Sequence, residues 1–471
     1  MKNMLLVILV LFSLLPAQSS SSKANALVFT HVTVIDATGA PAKLDMTVVI
    51  TGDRITAIGK EAPPPKDAQI VDCSGKFLIP GLWDMHIHWY DKNSLTLFTA
   101  NGVTGVREMF GMPMLLQLRK EVAEGKLVGP RMVVASPIVD GPKPVWPGSI
   151  AVANEVEGRK AVEKIKADGY DFVKVYSLLP RDAYSGIVDE ARKEGIPFAG
   201  HVPLSVSAAE ASDAGHKSIE HLTGVLLSCS SKEEELRAQF AEEIAKNGMT
   251  GALSGLARRQ GRHLVDSFSN EKAAALFARF KKNGTWQCPT LTVLRSLAFL
   301  DDKDFTNDPR LKYMPRQIRN SWDPANDFRM RTMTPEDFAN AKRAFQKYLE
   351  VVGGLRRAGV DIIAGTDTLN PYCFPGFSLL DEMTLLVRAG LSPLEALQAA
   401  TRNAARFLGK LDSLGTIETG KIADLVLLDA NPLDDIGNTK KINAVVMNGR
   451  LLDRKALDQM LNQVEAAANA K

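Results

Sequence analysis

Eight short apolar stretches, separated by amphipathic helical or loop-rich segments, constrain this chain more than any other feature. They are Leu82–Trp89, Thr104–Met109, Met132–Ser136, Phe172–Ser177, Phe198–Val202, Lys217–Leu222, Thr285–Leu294 and Asp361–Thr368. Strands alternating with helices read as βα units on a parallel sheet, since parallel neighbours need a crossover connection. Eight such units is the number that closes a barrel. The expected fold is α/β: a (β/α)8 TIM barrel over residues 81–411, with helical insertions near 229–283 and 295–350 in its later loops.

The two ends of the chain have a different character. Residues 27–80 read as short strands (Leu27–Ile35, Met46–Ile50, Arg54–Gly59, Gln69–Val71) broken by turns such as Thr38-Gly39-Ala40-Pro41. Ala423–Leu428 and Ala444–Met447, with an Asn448-Gly449 turn, have the same character. Neither set has enough strands to be stable alone, so 27–80 and 412–455 are expected to pair as one small β-sandwich domain. Residues 456–471 read as a helical tail. Ahead of all this, Lys2, an apolar run from Met4 to Pro16 broken only by Ser13, and a serine tract make residues 1–26 a secretory signal peptide. Ala17-Gln18-Ser19 or Ala24-Asn25-Ala26 would precede the cut. The run is short of the roughly 20 residues that span a bilayer. The expected location is periplasmic or secreted, with no membrane attachment after cleavage.

Composition removes several function classes. An apolar fraction of 45% over 471 residues excludes a disordered or collagen-like chain. Lys+Arg 57 against Asp+Glu 54 leaves +3, too little and too evenly spread for a nucleic-acid partner. Cys73, Cys229, Cys288 and Cys373 lie far apart without CxxC spacing, so neither a disulfide framework nor a cysteine zinc site is indicated. Gly-x-Ser-x-Gly is absent, and no Cys–His signal suggests a thiol nucleophile. Histidine is scarce, at seven, and its placement is the chemical signal.

His86-Ile87-His88 ends the first apolar stretch, and strand alternation puts both rings on one face. His201 ends the fifth stretch, His221 the sixth and Asp367 the eighth. Active-site residues of an α/β barrel come from the C-terminal ends of its strands, where these five lie. Four imidazoles and a carboxylate make an N/O donor set suited to zinc or a similar divalent ion. In Phe172-Val173-Lys174-Val175-Tyr176 the valines face the helices, so Lys174 points inward, where an unpaired ammonium is costly and repels a cation. Two readings stand: Lys174 pairs with Asp367 or Asp84, or it carries a carbamate, an anion able to bridge two metals. The other histidines read as structural. His216 starts the strand that His221 ends, about 16 Å away at 3.3 Å per residue. His31 and His263 read as solvated or packing residues.

These residues together resemble the amidohydrolase superfamily, in its members with two metals bridged by a carboxylated lysine. The matching segments are Pro80-Gly81-Leu82-Trp83-Asp84-Met85-His86-Ile87-His88, Phe172-Val173-Lys174-Val175-Tyr176, Gly200-His201-Val202, Ile219-Glu220-His221, Gly365-Thr366-Asp367 and the stretch from Gly415 to Leu425. The resemblance covers residues 27 to about 455 and is nearest the prolidase-like and imidazolonepropionase-like branch, including relatives that cleave the amide of ochratoxin. It implies that His86, His88, Lys174 and Asp367 hold one metal and Lys174, His201 and His221 the other. It also implies that a hydroxide shared by the two ions attacks an amide carbonyl, with Asp367 as general acid/base. The substrate class implied is a small amide, dipeptide or cyclic amide, and barrels of this kind often form homo-oligomers. The branch often carries a tyrosine two positions after the fifth-strand histidine, holding a substrate carboxylate. Pro203 stands there, which counts against a dipeptide.

Tyr176, on the inward face with Lys174, is a candidate substrate contact or a packing residue. Arg107, at the end of the second strand, could neutralise an acidic substrate group or pair with Glu108 or Asp84. Trp89 and Tyr90 are candidate pocket wall. The same metal chemistry serves lactone, ester or phosphotriester hydrolysis, the alternative reading. A relic barrel serving as an exported binding protein is disfavoured because every ligand position is filled.

Overall fold

The computed structural model describes residues 26–88, 92–327 and 329–470. The expected export segment, apart from Ala26, and the expected wall residues Trp89 and Tyr90 lie outside the described residues. Five strands come first: β1 (Leu27–Val34), β2 (Lys43–Thr51), β3 (Arg54–Gly59), β4 (Gln69–Asp72) and β5 (Phe77–Pro80). β1 is their hub. It runs antiparallel to β2 on one edge and parallel to β4, then β5, on the other.

The chain then builds parallel sheet: β6 (Leu82–Ile87), β7 (Val103–Glu108), β8 (Arg131–Val134), β9 (Val139–Asp140), β10 (Ile150–Ala151), β11 (Val173–Val175), β12 (Phe198–Gly200), β13 (Ser218–Glu220) and β14 (Trp286–Cys288). β6, β7 and β8 form one sheet, and the order β10-β9-β11-β12-β13-β14 forms the other. Parallel bridges join Ala135 to Phe172, Gln287 to Ile362 and Thr368 to Ile87. The fold is α/β. Val173 and Val175 enter the main apolar core with the helices, and the period-two pleat turns Lys174 between them to the other face.

β15 (Leu425–Leu428), β16 (Ile442–Met447) and β17 (Arg450–Asp453) return to the first sheet, where β15 pairs antiparallel with β5. Instead of the two stacked sheets expected, hydrogen-bond ladders link all eight strands of the two chain ends into one sheet. The reason is β5, which accepts β1 on one edge and β15 on the other. Ile55 of β3 and Val446 of β16, from opposite ends of that ladder, share an apolar cluster with Phe29, Ile50 and Leu427, so the sheet curls around its own core. The tail is a helix, Arg454–Asn469, whose N-cap Asp453 accepts from the Ala456 amide.

Two expected strands differ. Thr285–Leu294 is extended only to Cys288, and a helix runs over Leu291–Ala298. Thr290 adopts left-handed backbone (φ 47°), and the buried Glu382 carboxylate accepts from the Leu291 and Thr292 amides at 2.9 and 2.7 Å, satisfying helix-end donors that a strand would leave for a neighbour. Asp361–Thr368 is tied by isolated bridges rather than a continuous ladder. It hugs β6 so closely that a Cβ on Gly365 would lie 2.8 Å from His86 Cβ.

The two insertions are helical. Glu233–Arg259 runs into a π-helical turn at Gln260–Leu264. Pro335–Arg357 starts at a Thr334–Asp337 capping box with proline in its first turn, and buries Phe338, Phe345, Tyr348, Leu349, Val352 and Leu355 at helical spacing. Both sit over the C-terminal ends of the parallel strands.

Candidate metal centre

Six residues expected from the sequence converge at those strand ends. The ring centroids of His86 and His88 are 5.3 Å apart, those of His86 and His221 4.5 Å, and those of His201 and His221 5.0 Å. Asp367 Oδ1 lies 2.9 Å from His88 Nε2 and 3.4 Å from His86 Nε2. Lys174 lines the same cavity as His88, His201, His221 and Asp367. Local backbone makes this possible. His221 and Asp367 both have left-handed φ (58° and 61°), rotating side chains beyond regular strand geometry into the site, a strained arrangement typical of functional positions. Gly200 (φ 141°) removes a side chain that would press on the Val175 carbonyl and stand 3.1 Å from Lys174 Cδ.

The imidazoles are oriented from behind. His86 Nδ1 lies 2.7 Å from Glu220 Oε2, an acceptor when ionised, so the Nδ1–H donates and Nε2 keeps its lone pair. His221 Nδ1 lies 2.6 Å from Thr290 Oγ1; that hydroxyl donates to the Pro289 carbonyl at 2.8 Å, so it accepts from His221 and fixes the same tautomer. His201 Nδ1 meets Ser177 Oγ at 2.9 Å. His88 Nδ1 faces Glu108 Oε1 at 3.7 Å. His86 Nε2 and Asp367 Oδ1 are buried without an aligned hydrogen-bond partner. Ligand atoms of His86, His221 and Asp367 fall within 4.8 Å of one another. At His86, Nδ1 donates to an oriented carboxylate and Nε2 is left free toward the site, which is the arrangement a divalent ion needs. The residues fit a metal.

Electrostatics agree with that geometry. Burial drives His86 and His201 well below the usual imidazole range and His221 down to about 4, so these rings are neutral at pH 7. Burial acts on His88 the same way, but the Asp367 and Glu108 carboxylates outweigh it and lift the ring to about 9. Burial also raises the Asp367 carboxyl, and the surrounding His221, His88 and Lys174 overcome it and keep it below the ordinary value. Lys174 is 1% exposed, and among the described residues no ion pair or hydrogen bond holds its ammonium. Burial lowers it to about 8. Asp84, one partner considered for it, instead accepts from the Thr366 hydroxyl at 2.6 Å and the His86 amide at 3.2 Å.

Arg107 is a correction. It is 1% exposed and does not line the cavity. Its guanidinium donates to Met85 O at 2.6 Å, Ser218 Oγ at 3.0 Å and Glu220 Oε1 at 2.8 Å, and it packs over Phe407. It serves neither substrate nor the expected partners Glu108 and Asp84. Its role is to hold Glu220, which in turn holds His86. Tyr176 does line the cavity. It stacks on His201 at 4.0 Å, and its hydroxyl accepts from Trp146 Nε1 at 2.8 Å. His216 is buried between Tyr184 Oη (3.2 Å) and Gly200 O (3.3 Å), His263 is exposed, and His31 is exposed beside Asp45. All four cysteines are free and buried.

Glu220, Thr290, Ser177 and Trp146 were not singled out from sequence. Glu220 alone carried a signal there, as a carboxylate inside an apolar strand beside His221. The cavity above the histidines is about 560 Å³, in the range of small-molecule sites. Both insertions contribute to it, through Phe240 and Ile244 on one side and Trp322, Arg329 and Tyr348 on the other.

The amidohydrolase family profile matches residues 77–452. Ochratoxinase of Aspergillus niger is 24% identical over 486 aligned positions, covering 89% of this chain and 84% of that one. Imidazolonepropionase of Rhizobium meliloti is 26% identical over 81% of this chain and 85% of its own. Among solved structures, bottromycin amidohydrolase superposes with a TM-score of 0.72 at 25% identity, covering 94% of this chain and 91% of that one.

Proposed function

This chain belongs to the amidohydrolase family, on its prolidase- and imidazolonepropionase-like branch, and is a hydrolase of carbon–nitrogen bonds; from that premise we propose that it cleaves small-molecule amides at a two-metal centre. The observation that carries the metal reading is the gathering of four imidazoles and the Asp367 carboxylate at the cavity floor, with His86 Nε2 and Asp367 Oδ1 buried there without an aligned hydrogen-bond partner. His86, His88, Lys174 and Asp367 would hold one ion, and Lys174, His201 and His221 the other, with Lys174 carboxylated. Zinc suits this donor set. Two such ions supply an electrophile for the amide carbonyl and make water acidic enough to attack at neutral pH.

The protein's own groups do the rest. Asp367, ionised between His88 and His221, takes the proton of the attacking water at a carboxylate oxygen and returns it to the departing nitrogen. Glu220 and Thr290 hold His86 and His221 in one tautomer and Ser177 positions the His201 ring, so no reorganisation is needed at the reacting end. The apolar walls exclude bulk water and strengthen every charge interaction at the floor. The reading takes the parallel strands as a closed eight-membered barrel, which the bridges at Ala135–Phe172, Gln287–Ile362 and Thr368–Ile87 support. It also takes the protein as exported, on the strength of residues 1–26; no helix among the described residues is long and apolar enough to cross a membrane.

The test is metal content with activity on a panel of N-acyl amines, N-acyl amino acids, cyclic imides and lactones. About two zinc ions per chain, with amide cleavage abolished by a chelator and restored by zinc, is the expected result. A folded protein that cleaves amides without metal would refute the two-metal centre, and cleavage of lactones alone would refute the amide reading.

A further inference from the structure

The cavity over the metal centre says what kind of amide enters it. Its walls are apolar, with Ile138, Val145, Leu226, Ile244, Leu264 and Leu297 on several sides. Several of the polar groups among them already have protein partners. Trp146 Nε1 donates to the Tyr176 hydroxyl, and Trp322 Nε1 donates to Leu369 O at 3.2 Å. Thr223 Oγ1 donates to Glu220 O at 3.0 Å and accepts from the Val202 amide at 3.0 Å. Apart from the histidines and Lys174, the one cation on the cavity wall among the described residues is Arg329. Its guanidinium is clamped by both oxygens of Asp327, at 2.6–3.2 Å, and by Asn370 Oδ1 at 2.9 Å.

A substrate carboxylate brought against these walls would lose its hydration, and the one wall cation among the described residues already has its charge balanced by Asp327. Burying an unpaired charge on those terms is strongly unfavourable. Pro203 is buried and does not line the cavity, and its neighbours Val202 and Leu204, which do, add apolar wall. We propose that the substrate is an uncharged amide whose bulky apolar group, aliphatic or aromatic, fills this cavity, with no carboxylate beside the scissile bond. This rests on the amide-hydrolase reading and narrows it, because apolar walls reward burial of apolar area while the charge of Arg329 is already balanced by Asp327.

A matched pair tests it: N-octanoyl-phenethylamine and N-octanoyl-phenylalanine, which share the scissile amide and differ by one carboxylate. With the zinc-loaded protein, kcat/KM for the phenethylamide is expected to exceed that for the acid by at least about tenfold. Leu204→Arg, a half-buried wall position, places a cation at the cavity and should shift that ratio toward the acid. Equal or better cleavage of the acid by the unaltered protein overturns the proposal and leaves amide hydrolysis standing. So does a folded Leu204→Arg protein with an unchanged ratio. If neither compound is cleaved, calorimetry decides. Binding of the phenethylamide at least about tenfold tighter supports the cavity's preference while amide hydrolysis fails, and equal binding overturns the preference as well.

Discussion

Glu220→Gln isolates what the ring-orienting groups do for the centre. Glu220 is fully buried; one oxygen faces His86 Nδ1 at 2.7 Å, and the other accepts from Arg107 at 2.8 Å and Ser218 Oγ at 2.5 Å. Glutamine keeps the shape but has one acceptor and one donor. Arg107 can only donate into its side, so the amide oxygen must turn toward it and the NH2 toward His86. Two donors then meet, unless the imidazole proton moves to Nε2, where it blocks the lone pair a metal needs. Loss of such an orienting partner lowers metal affinity by about 10–100-fold, which is about 1.4–2.7 kcal/mol. The fold suffers separately: Arg107 loses its counter-ion but keeps a hydrogen bond, so the cost lies near the lower end for a broken buried pair, about 3 kcal/mol. Competition against a chromophoric chelator gives zinc affinity, and denaturant unfolding of the metal-free protein gives stability. Zinc affinity within twofold of the unaltered protein would refute the tautomer argument, whatever happened to stability.

Three further expectations follow from the same geometry. Lys174→Met removes a buried ammonium that no described carboxylate pairs with, so the metal-free protein should melt higher while zinc falls from about two ions per chain to one or fewer; calorimetry and metal analysis read the two effects. Ser177→Ala leaves His201 Nδ1 without its hydroxyl and should weaken zinc binding by roughly tenfold with little change in melting temperature. His216 is buried with its pKa lowered to about 4, so the unfolded chain binds the extra proton first as pH falls. Its contribution to stability is therefore full above pH 6.5 and is lost toward pH 4, on the order of 3 kcal/mol across that window. Denaturant unfolding at several pH values should show a flatter acid limb in His216→Gln, and an unchanged limb would count against the assignment.

What could be read from sequence is what alternation and punctuation encode. His86, His88, Lys174, His201, His221 and Asp367 end short apolar stretches, and strand ends are where chemistry gathers whatever the loops do. Arg107 sat at such an end too and was misjudged, because its partner Glu220 is 113 residues away and only the folded sheet makes them neighbours. The strand expected over Thr285–Leu294 failed for a similar reason. Its second half is helical because Glu382, some 90 residues later, caps it, and a lone carboxylate in a distant helix carries no local mark. The continuous sheet of the two chain ends depends on β5 bonding on both edges, again a fact of topology rather than pattern.

Floor and wall of the cavity come from different parts of the chain, and this explains why reaction type was legible and substrate was not. The floor is fixed by strands whose inward positions tolerate few residue types: Gly200 must be bare for Lys174 to pass, and Gly365 must be bare for the Asp367 segment to approach His86. The wall is set by long helices whose patterns encode only that one side is buried. Nothing in the period of Pro335–Arg357 distinguishes Tyr348, which faces the cavity, from Phe345, which packs in the core. Arg329 shows the same gap most sharply. Its sequence position does not mark it as part of the cavity wall, and in the structure both oxygens of Asp327, two residues away, balance its charge. A charge counts toward recognition only when its neighbours leave it unsatisfied, and that condition belongs to the packed wall.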